Sequence, residues 1–404
     1  MQNTRVLVSG ASIAGPALAH WLQRYGFAVT VVEKAGSIRP GGQAVDFKGP
    51  IHRRVLREMG ILDEVRAADV RDEDGIIVNA AGRKVGTAPG AFGAGEVNIP
   101  RGDLARILHR LTEDTVEYVF GDSITSLTDT GDGVDVTFEH GAPRTFDLVV
   151  GADGMHSNVR RLAFGPESEH VTHLGYHYVL ADLDTGPDDV VYSEPGITVM
   201  LGGTKAPAFL VFAGPPLPPA RDDVARQKQQ VTEALRRGKW RIPELLEQLP
   251  DAREFYMDSI SRATVDRWSR GRVVLLGDSA WGNALGGYGT GLAVVGAYVL
   301  AGELARAGGD HVAAFDVFER RYRDYASISH KVNAGKLLAP RTAAGIRVRN
   351  LLFSALAVVG PLMRVVDRPA SNLVLEDYDA LRTDRETDSR TGSPAGTTGV
   401  GGAD

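Results

Sequence analysis

The first thirty-odd residues carry two different apolar patterns in succession. Positions 6–8 form a short continuous apolar run bounded by a glycine, which is typical of a buried parallel strand. Positions 13–25 instead place apolar residues every three or four residues, the spacing of an amphipathic helix. A second apolar run over 28–32 ends at the acidic residue Glu33. This order predicts a strand–helix–strand unit with two parallel strands.

The turn between the first strand and the helix has the composition of a dinucleotide-binding turn. Gly10 permits a tight turn, and Gly15 lets the helix approach the strand closely. The helix N-terminus offers free N–H groups and partial positive charge, to which a pyrophosphate can bind. Glu33 lies near the roughly 20-residue spacing expected of an acceptor for the adenosine ribose. Ser12 replaces the middle glycine of the pattern, so its Cβ narrows the approach to the phosphate while its hydroxyl can donate.

The later patterns predict several short strands, an inserted sheet and a further buried strand near residue 271. Strands are expected at 76–85, 116–120, 123–128, 134–139 and 145–150, the last four as a short antiparallel meander that returns toward the first sheet. The segment 175–212 is rich in β-branched and aromatic residues and predicts a separate sheet, covered by helices at 222–238 and 242–249 and followed by a strand at 255–263. A buried strand at 271–277 and helices at 292–304 and 312–337 complete the pattern. A glycine-rich loop precedes Asp46. The glycine string at 90–95 has no strand before it and no helix after it, so it is not expected to be a nucleotide-binding turn.

Composition narrows the class of protein. The chain has 404 residues, of which 43% are hydrophobic and 24% charged, as expected of a soluble globular protein with more than one domain. The net charge of −6 and the absence of like-charge runs argue against nucleic-acid binding. Cysteine is absent, which excludes disulfides, cysteine metal sites and flavoenzymes with a thiol pair.

Targeting signals are not expected either. The chain begins almost directly with a strand, which leaves no room for a signal peptide. The apolar run at 351–363 contains Gly360 and Pro361 and is too short to span a bilayer. These features predict a cytoplasmic location with no membrane contact, and the Thr-, Ser- and Gly-rich tail over 384–404 is predicted to be disordered.

Two further motifs place acidic residues at the ends of buried strands. The run Asp147–Gly154 ends in Asp153-Gly154, and the run Gly271–Asp278 ends in Asp278. Ligands bind at the carboxyl ends of strands in doubly wound sheets, where a carboxylate can accept hydrogen bonds from sugar or ribityl hydroxyls. The glycines at 286–291 leave the next helix N-terminus bare of side chains, so that it can stabilise an anion on a bound ring.

Together these three motifs resemble the FAD-dependent aromatic-hydroxylase family, the class A flavoprotein monooxygenases. That family includes para-hydroxybenzoate hydroxylase, the tetracycline-inactivating monooxygenases and polyketide-tailoring enzymes of secondary metabolism. The resemblance covers about residues 4–340. It implies an α/β fold: a three-layer Rossmann-like FAD-binding domain with an inserted β-sheet substrate domain and C-terminal helices. The implied divisions are an FAD-binding domain over 1–70, 99–170 and 268–335, a substrate domain over 71–98 and 171–267, and a C-terminal helical segment over 336–380.

The resemblance also implies roles for individual residues. Arg101 would bind FAD near its ribityl–pyrophosphate portion, Asp278 would hold the ribityl or pyrophosphate region, and Asp153 with Gly154 would serve both FAD and NAD(P)H. Asp46 is a candidate flavin-side contact and Arg39 a candidate NADPH contact. The full set of expected cofactor contacts is Gly10, Ser12, Ile13, Gly15, Glu33, Lys34, Arg39, Asp46, Arg101, Asp153, Asp278, Gly289, Thr290 and Gly291.

The implied reaction is the insertion of one oxygen atom into a bulky aromatic or polyketide-like molecule. NADPH or NADH would transiently reduce non-covalently bound FAD, O2 would add at the flavin C4a position, and the terminal peroxide oxygen would attack the substrate. The resemblance therefore implies no metal, no dedicated catalytic side chain and no second dinucleotide motif. A monomer or a weak homodimer is expected.

The run Gly277–Leu285 departs from the family pattern, because it lacks the usual histidine and a later proline. Trp281 in this run either packs near the flavin or is a buried structural residue. The departure leaves open another FAD reaction, such as dehydrogenation, reduction or cyclisation, and also a non-catalytic flavin-binding protein. His173 and His177 either face the substrate or are ordinary core or surface residues, and Tyr288 either borders the flavin ring or is exposed.

Overall fold

The computed structural model describes residues 1–39, 43–70, 74–90, 97–186, 189–202, 208–218, 220, 223–363, 373–378 and 381. The strands are β1 (Arg5–Ser9), β2 (Ala28–Glu33), β3 (Ala44–Phe47), β4 (Gly75–Val78), β5 (Lys84–Ala88), β6 (Val97–Pro100), β7 (Glu117–Phe120), β8 (Ile124–Asp129), β9 (Val134–Phe138), β10 (Arg144–Phe146), β11 (Leu148–Gly151), β12 (Val171–Ala181), β13 (Val190–Glu194), β14 (Ile197–Leu201), β15 (Ala208–Ala213), β16 (Phe255–Ala263), β17 (Ser269–Arg270) and β18 (Val273–Leu275).

The helices are α1 (Ala14–Arg24), α2 (Gly49–Glu58), α3 (Leu62–Ala67), α4 (Arg101–Arg110), α5 (Asn158–Ala163), α6 (Glu167–His170), α7 (Val224–Leu235), α8 (Ile242–Gln248), α9 (Asp278–Trp281), α10 (Gly289–Arg306), α11 (His311–Ala326), α12 (Ala334–Leu338) and α13 (Ala343–Met363). Short 3-10 helices cover Leu249–Asp251 and Ser327–Lys331. The predicted α/β class is confirmed.

A six-stranded sheet carries all three of the predicted motifs. Its strand order is β17-β18-β11-β1-β2-β7, and every pairing in it is parallel except that of β17 with β18. Val8 pairs with Val31 on one side and with Val150 on the other. Because β11 and β18 lie beside β1, the carboxyl ends of strands distant in sequence meet at one edge.

Opposite faces of this sheet are covered by different elements. A Cβ at Gly15 of α1 would lie 3.3 Å from the Val8 side chain, whereas a Cβ at Gly151 would lie 2.9 Å from Val159 of α5. Val8 is paired with Val150, so Gly151 points to the other face. Helix α1 also packs against α10, where the Trp21 and Tyr298 rings lie 4.8 Å apart. The buried apolar strands of the sequence pattern are therefore covered on both sides.

The inserted segment forms most of a seven-stranded sheet with the order β16-β12-β15-β14-β13-β4-β5. One face packs against α7 and α8 through residues such as Val179, Leu210 and Val231. The other face packs toward the loop after Asp278, with Tyr178 near Leu285. The strands predicted at 76–85 join this sheet as its edge, because β4 pairs in parallel with β13.

The predicted meander is wrong in two respects. The strand at 116–120 is β7, which pairs in parallel with β2 in the six-stranded sheet, so the meander contains only β8, β9 and β10. The strand predicted at 145–150 is two strands separated by Asp147. The Asp147 carboxylate accepts hydrogen bonds from the backbone N–H of Arg5 at 2.8 Å and from its guanidinium at 2.7 Å. This contact fixes the bend at which the chain leaves one sheet for the other.

The single long helix predicted at 312–337 is also wrong, because α11 ends at Ala326 and α12 begins only at Ala334. Between them, the Asn283 side-chain amide donates to the carbonyls of Ser329 at 2.5 Å and Val332 at 2.9 Å. These two bonds tie the carbonyls to the Asn283 loop at the point where the α-helix gives way to a short 3-10 helix. The Asn333 side chain then caps α12 by accepting from the Lys336 N–H.

Two helices, α12 and α13, follow α11 toward the C-terminus, as the predicted fold class expects. The apolar run at 351–363 lies within α13, and no helix among the described residues is both long enough and apolar enough to cross a bilayer. The tail over 384–404, the glycines at 41–42 and most of the glycine string at 90–95 lie outside the described residues.

Candidate functional site

Glu33 lies at the carboxyl end of β2, beside the first turn. Its Oε2 accepts a hydrogen bond from the Ala11 N–H and its Oε1 accepts one from the Ala35 N–H, both at 2.9 Å. These bonds hold the carboxylate at the sheet edge and leave further lone pairs for hydroxyl donors. Gly10 makes the turn with φ of +106°, and a Cβ there would lie 2.5 Å from the Ala152 carbonyl oxygen. The turn therefore needs glycine at this position.

The N-terminus of α1 is free to bind an anion. The helix has 11 residues, its N-cap residue Ile13 makes no side-chain capping bond, and its first turn contains no acidic residue. Gly15 is required because a Cβ would overlap the Gly10 carbonyl. The first turn therefore keeps its partial positive charge, and Ser12 lies half-buried in front of it.

Arg101, at the start of α4, reaches this same turn. Its Nη2 and Nε donate to Ser12 Oγ at 3.1 and 3.3 Å. The guanidinium is exposed and forms no direct ion pair with an acidic side chain among the residues that the structure describes. Burial raises the pKa of Asp278 above its ordinary value, and the Arg101 charge acts in the opposite direction. Arg101 and Asp278 are thus close enough to interact, although 177 positions separate them in the sequence.

Asp278 faces the N-terminus of α10. A Cβ at Gly289 would lie 3.2 Å from Asp278 Oδ1. Helix α10 has no side-chain cap at Tyr288 and no acidic residue in its first turn. Thr290 is half-buried, and Gly291 packs against the His52 ring. The six-stranded sheet edge therefore presents a second uncapped helix N-terminus.

Strand β3 places Asp46 close to the start of α10, where its carboxylate forms an ion pair with Lys48. Lys48 Nζ lies 3.2 Å from Asp46 Oδ2 and 4.7 Å from the centre of the Tyr288 ring. Both charged side chains are largely buried. Tyr288 is half-buried under this lysine. The Asp46 carboxylate therefore neutralises a buried lysine next to the glycine loop.

Asp153 shapes a turn. It accepts from the Ser157 hydroxyl and from the N–H groups of Asn158 at 2.8 Å and Val159 at 3.0 Å, at the start of α5. Burial raises the pKa of Asp153, while these bonds lower it. The following Gly154 has φ of +83° and open space where a Cβ would be. The motif therefore presents bare backbone at the sheet edge, held in place by the carboxylate.

We call the space between this edge of the six-stranded sheet and the Tyr178 face of the seven-stranded sheet the groove, because the Arg101 charge acts on Asp278 from the one side and on Tyr178 from the other. Two further predicted residues lie on the surface. Lys34 and Arg39 are exposed, and Arg39 precedes residues that the structure does not describe. His173 and His177 do not face the groove: His177 pairs with Phe212, which packs on the α7 side of the seven-stranded sheet. Residues paired directly across strands share a face, so the alternative that these histidines face the substrate is not supported.

Trp281 belongs to the core. Its ring is 1% exposed and lies 4.5 Å from Trp268, 5.3 Å from Tyr322 and 6.3 Å from Phe318. The structural alternative for this tryptophan is therefore the correct one. In the Gly277–Leu285 run, which departs from the family pattern, the Trp281 ring fills the core.

Sequence reasoning missed the polar residues that the seven-stranded sheet contributes. Tyr178 and Tyr256 lie on the face toward the groove, with ring centres 5.8 Å apart. Tyr256 is 42% exposed, but burial of its hydroxyl end beside Asp258 raises its pKa to about 12, while the Arg101 charge lowers it. The Tyr256 hydroxyl donates to Asp258 at 3.1 Å. The sequence predicts that positions 256 and 258 share one face of a strand. It does not show which face of that strand is turned toward the groove.

Comparisons with known proteins agree with this arrangement. A family model described as an FAD binding domain matches residues 3–313. The flavin-dependent monooxygenase of Legionella longbeachae is 35% identical over 343 residues, covering 82% of this chain and 88% of that protein. The uncharacterized protein Rv1260 of Mycobacterium tuberculosis is 40% identical over 341 residues, covering 79% of this chain and 90% of the relative. The crystal structure of tetracycline destructase Tet(55) matches with a TM-score of 0.75 at 33% identity, covering 93% of this chain and 99% of that one.

The matched region contains all three motifs and both faces of the groove. The chain therefore belongs to the FAD-binding family of flavin-dependent monooxygenases, the class A flavoprotein monooxygenases.

Proposed function

We propose that this FAD-dependent monooxygenase inserts one oxygen atom from O2 into a bulky aromatic or polycyclic small molecule. The observation that carries the proposal is the groove, in which Glu33, Arg101 and Asp278 meet at the edge of one sheet and face a second sheet. The relative named a tetracycline destructase supports a polycyclic substrate class. NADPH or NADH is the electron donor typical of this family.

The residues of the groove fit FAD. A dinucleotide with two phosphates needs positive charge near its centre and acceptors for sugar hydroxyls near its ends. Here the α1 N-terminus and the Arg101 guanidinium, which forms no direct ion pair with a described acidic residue, would provide the positive charge. Glu33 would hold the adenosine ribose, and Asp278 with the bare start of α10 would hold the ribityl and flavin end.

Bound FAD supplies the redox chemistry and the activation of O2. One substrate molecule, one NAD(P)H, one O2 and one proton would be converted to one oxygenated product, one water and one NAD(P)+. The protein would orient the substrate and keep water away from the reacting atoms. Tyr178 and Tyr256 place aromatic surface and hydroxyl groups on the substrate side of the groove.

The same proposal includes the division of the chain. The FAD-binding part would comprise 1–70, 99–170 and 268–335, and the substrate-binding part 71–98 and 171–267. The seven-stranded sheet supports this division, since its strands come from 75–88 and 171–263. A monomeric or weakly dimeric state and a cytoplasmic location stay predictions.

The decisive experiment measures NADPH and NADH oxidation in air by the FAD-loaded enzyme, with and without candidate polycyclic aromatics. The proposal expects substrate-stimulated oxidation and one atom of 18O from 18O2 in the product. Flavin reduction without oxygen incorporation would instead support a dehydrogenase, reductase or cyclase. A bound flavin that no nicotinamide reduces would support a non-catalytic flavin-binding protein.

A further inference from the structure

Helix α13 has one face on the seven-stranded sheet and one face in solvent. Arg349 and Phe353 are buried on the sheet side, where Arg349 bonds to β13 and β14. The opposite side carries Val348, Leu351 and Leu352, which are 68%, 74% and 48% exposed. Residues three and four positions apart share one side of a helix, so these three side chains form a single apolar stripe. A contiguous exposed apolar stripe marks an interaction surface.

Exposed basic residues flank this stripe. Arg347 lies one helical turn before Leu351, Arg341 lies between α12 and α13, and Lys336 lies on α12. None of these three basic residues forms an ion pair with an acidic residue that the structure describes. Both helices cover the same face of the sheet, because Met200 packs with residues of both, so their exposed sides point the same way. Together these residues form what we call the α12–α13 surface: Lys336, Arg341, Arg347, Val348, Leu351 and Leu352.

The charge of this part of the chain is opposite to the charge of the rest. Residues 325–363 contain five basic residues and no acidic residue. The remainder of the chain contains 40 basic and 51 acidic residues, which gives it a net charge of −11. A basic and apolar surface on an acidic protein is attracted to a partner that is negatively charged and offers an apolar phase.

Two other occupants of the surface lack this complementarity. A symmetric pair of copies would place the α12–α13 surface against itself, and none of its six residues is acidic, so the basic residues would repel one another. The chain's own tail over 382–404 has three basic and four acidic residues and therefore almost no net charge to offer. The surface of an anionic bilayer provides both negative phosphates and an acyl boundary into which apolar side chains insert.

We propose that the α12–α13 surface binds peripherally to an anionic lipid bilayer. The three apolar side chains of the stripe insert at the acyl boundary, and the three basic side chains lie at the level of the lipid phosphates. Helix α13 lies in the plane of the interface and does not cross the bilayer, in agreement with the finding that no described helix is able to span one. The proposal concerns where the enzyme is held and does not depend on the oxygenated substrate.

The test measures binding of the full-length FAD-loaded enzyme to large unilamellar vesicles by flotation. Vesicles with about 30% phosphatidylglycerol in phosphatidylcholine are compared with vesicles of phosphatidylcholine alone. We expect binding at least tenfold tighter to the anionic vesicles, because three basic residues lie close to the phosphates. Raising the salt concentration to about 0.5 M should weaken this binding, because ions screen exposed charges.

Two pairs of variants test whether the α12–α13 surface is responsible. Val348→Ser should weaken binding to the anionic vesicles about tenfold, because it removes an inserted apolar side chain. Val312→Ser, on α11, is its matched control: Val312 has the same 68% exposure, and its loss should leave binding unchanged. Arg347→Gln should weaken binding about fivefold. Arg320→Gln removes the same charge from the exposed surface of α11 and should have no effect.

Three results would overturn the proposal. The first is equal binding to both kinds of vesicle or no binding to the anionic ones. The second is unchanged binding by both Val348→Ser and Arg347→Gln. The third is a dimer in vesicle-free analytical ultracentrifugation that Leu351→Ser abolishes, because the surface would then belong to a second copy of the chain. Binding is read from the protein in the floated fraction, so the result is independent of whether NADPH oxidation is observed.

Discussion

His156 Nε2 lies 3.0 Å from Asp258 Oδ1, and this contact joins the turn after β11 to strand β16 of the seven-stranded sheet. The other ring nitrogen, Nδ1, lies 3.2 Å from Glu167 Oε1. An imidazole can donate from both nitrogens only when it is doubly protonated, so carboxylates on both sides favour the charged ring. Asp258 also accepts from Tyr256, which lies on the groove side. The junction of the two sheets is therefore electrostatic as well as apolar.

The first prediction concerns this junction. His156→Gln and Asp258→Asn should each lower the free energy of unfolding, and the double variant should lose less than the sum, with a coupling energy of about 1–2 kcal/mol. Urea unfolding of the four proteins measures this coupling. The exposed pair Arg106–Asp103 is the matched control, with an expected coupling below about 0.5 kcal/mol. Additive effects at His156 and Asp258 would show that the junction is held by packing alone.

The second prediction concerns pH. Burial lowers the pKa of His52 from 6.5 to about 4, and the Lys48 charge acts in the same direction. Between these values the unfolded chain binds a proton that the folded chain excludes, so stability falls as the pH falls. The expected loss between pH 6.5 and 4 is roughly 3 kcal/mol.

The matching experiment compares the pH dependence of urea unfolding in three proteins. His52→Asn should remove most of that loss, whereas His140→Asn on an exposed turn should retain it. If the His52→Asn variant kept the full pH dependence, another buried group would be responsible.

The third prediction concerns the start of α10. A Cβ at Gly291 would overlap the buried His52 ring, so Gly291→Ala should destabilise the fold by about 1–3 kcal/mol and weaken FAD binding. Gly36→Ala is the control, because nothing lies within 4 Å of a Cβ there. Thermal unfolding with and without FAD, together with flavin fluorescence titration, measures both effects. Unchanged FAD affinity in Gly291→Ala would separate this helix end from the cofactor.

The fourth prediction concerns a buried cation that holds α13 on the sheet. Arg349 is 4% exposed, and burial lowers its pKa to about 10. Its guanidinium donates to Ser193 Oγ at 2.8 Å, to Thr198 Oγ1 at 3.3 Å and to the Leu338 carbonyl. Arg349→Leu removes the guanidinium bonds and leaves only those that Ser193, Thr198 and the Leu338 carbonyl make with one another, so it should cost about 2–4 kcal/mol in urea unfolding. The exposed Arg347 on the same helix is the control, and Arg347→Leu should change stability by less than about 0.5 kcal/mol.

The fifth prediction concerns Glu33, at the proposed adenosine end of the groove. Glu33→Gln should weaken FAD binding about 10- to 100-fold, because a neutral amide accepts hydroxyl hydrogen bonds less strongly than a carboxylate. Fluorescence titration of the apoprotein with FAD measures the change. Glu139→Gln, at an exposed position, should bind FAD normally. Equal affinity of the Glu33→Gln and unmodified proteins would place the ribose elsewhere.

Much of the cofactor side could be read from the sequence because its signals are local. The first strand, the helix and the second strand lie where the pattern predicts them, and β16 has the predicted bounds. Glycine at positions 10 and 15 is required by contacts within a few residues or with the neighbouring strand. Periodicity and turn chemistry depend on neighbours in the chain, so one sequence is enough to predict them.

The groove face of the seven-stranded sheet could not be read in this way. The face on which His173 and His177 lie depends on the register of β12 against β15, and the break after α11 depends on Asn283, a side chain from a distant loop. The junction at His156 likewise requires residues from two sheets. The sequence by itself therefore determined the strand–helix–strand unit, its acidic strand ends and the family. Only the tertiary structure decided which side chains face the groove, because a strand's inward face is chosen by pairing with strands far away in the chain.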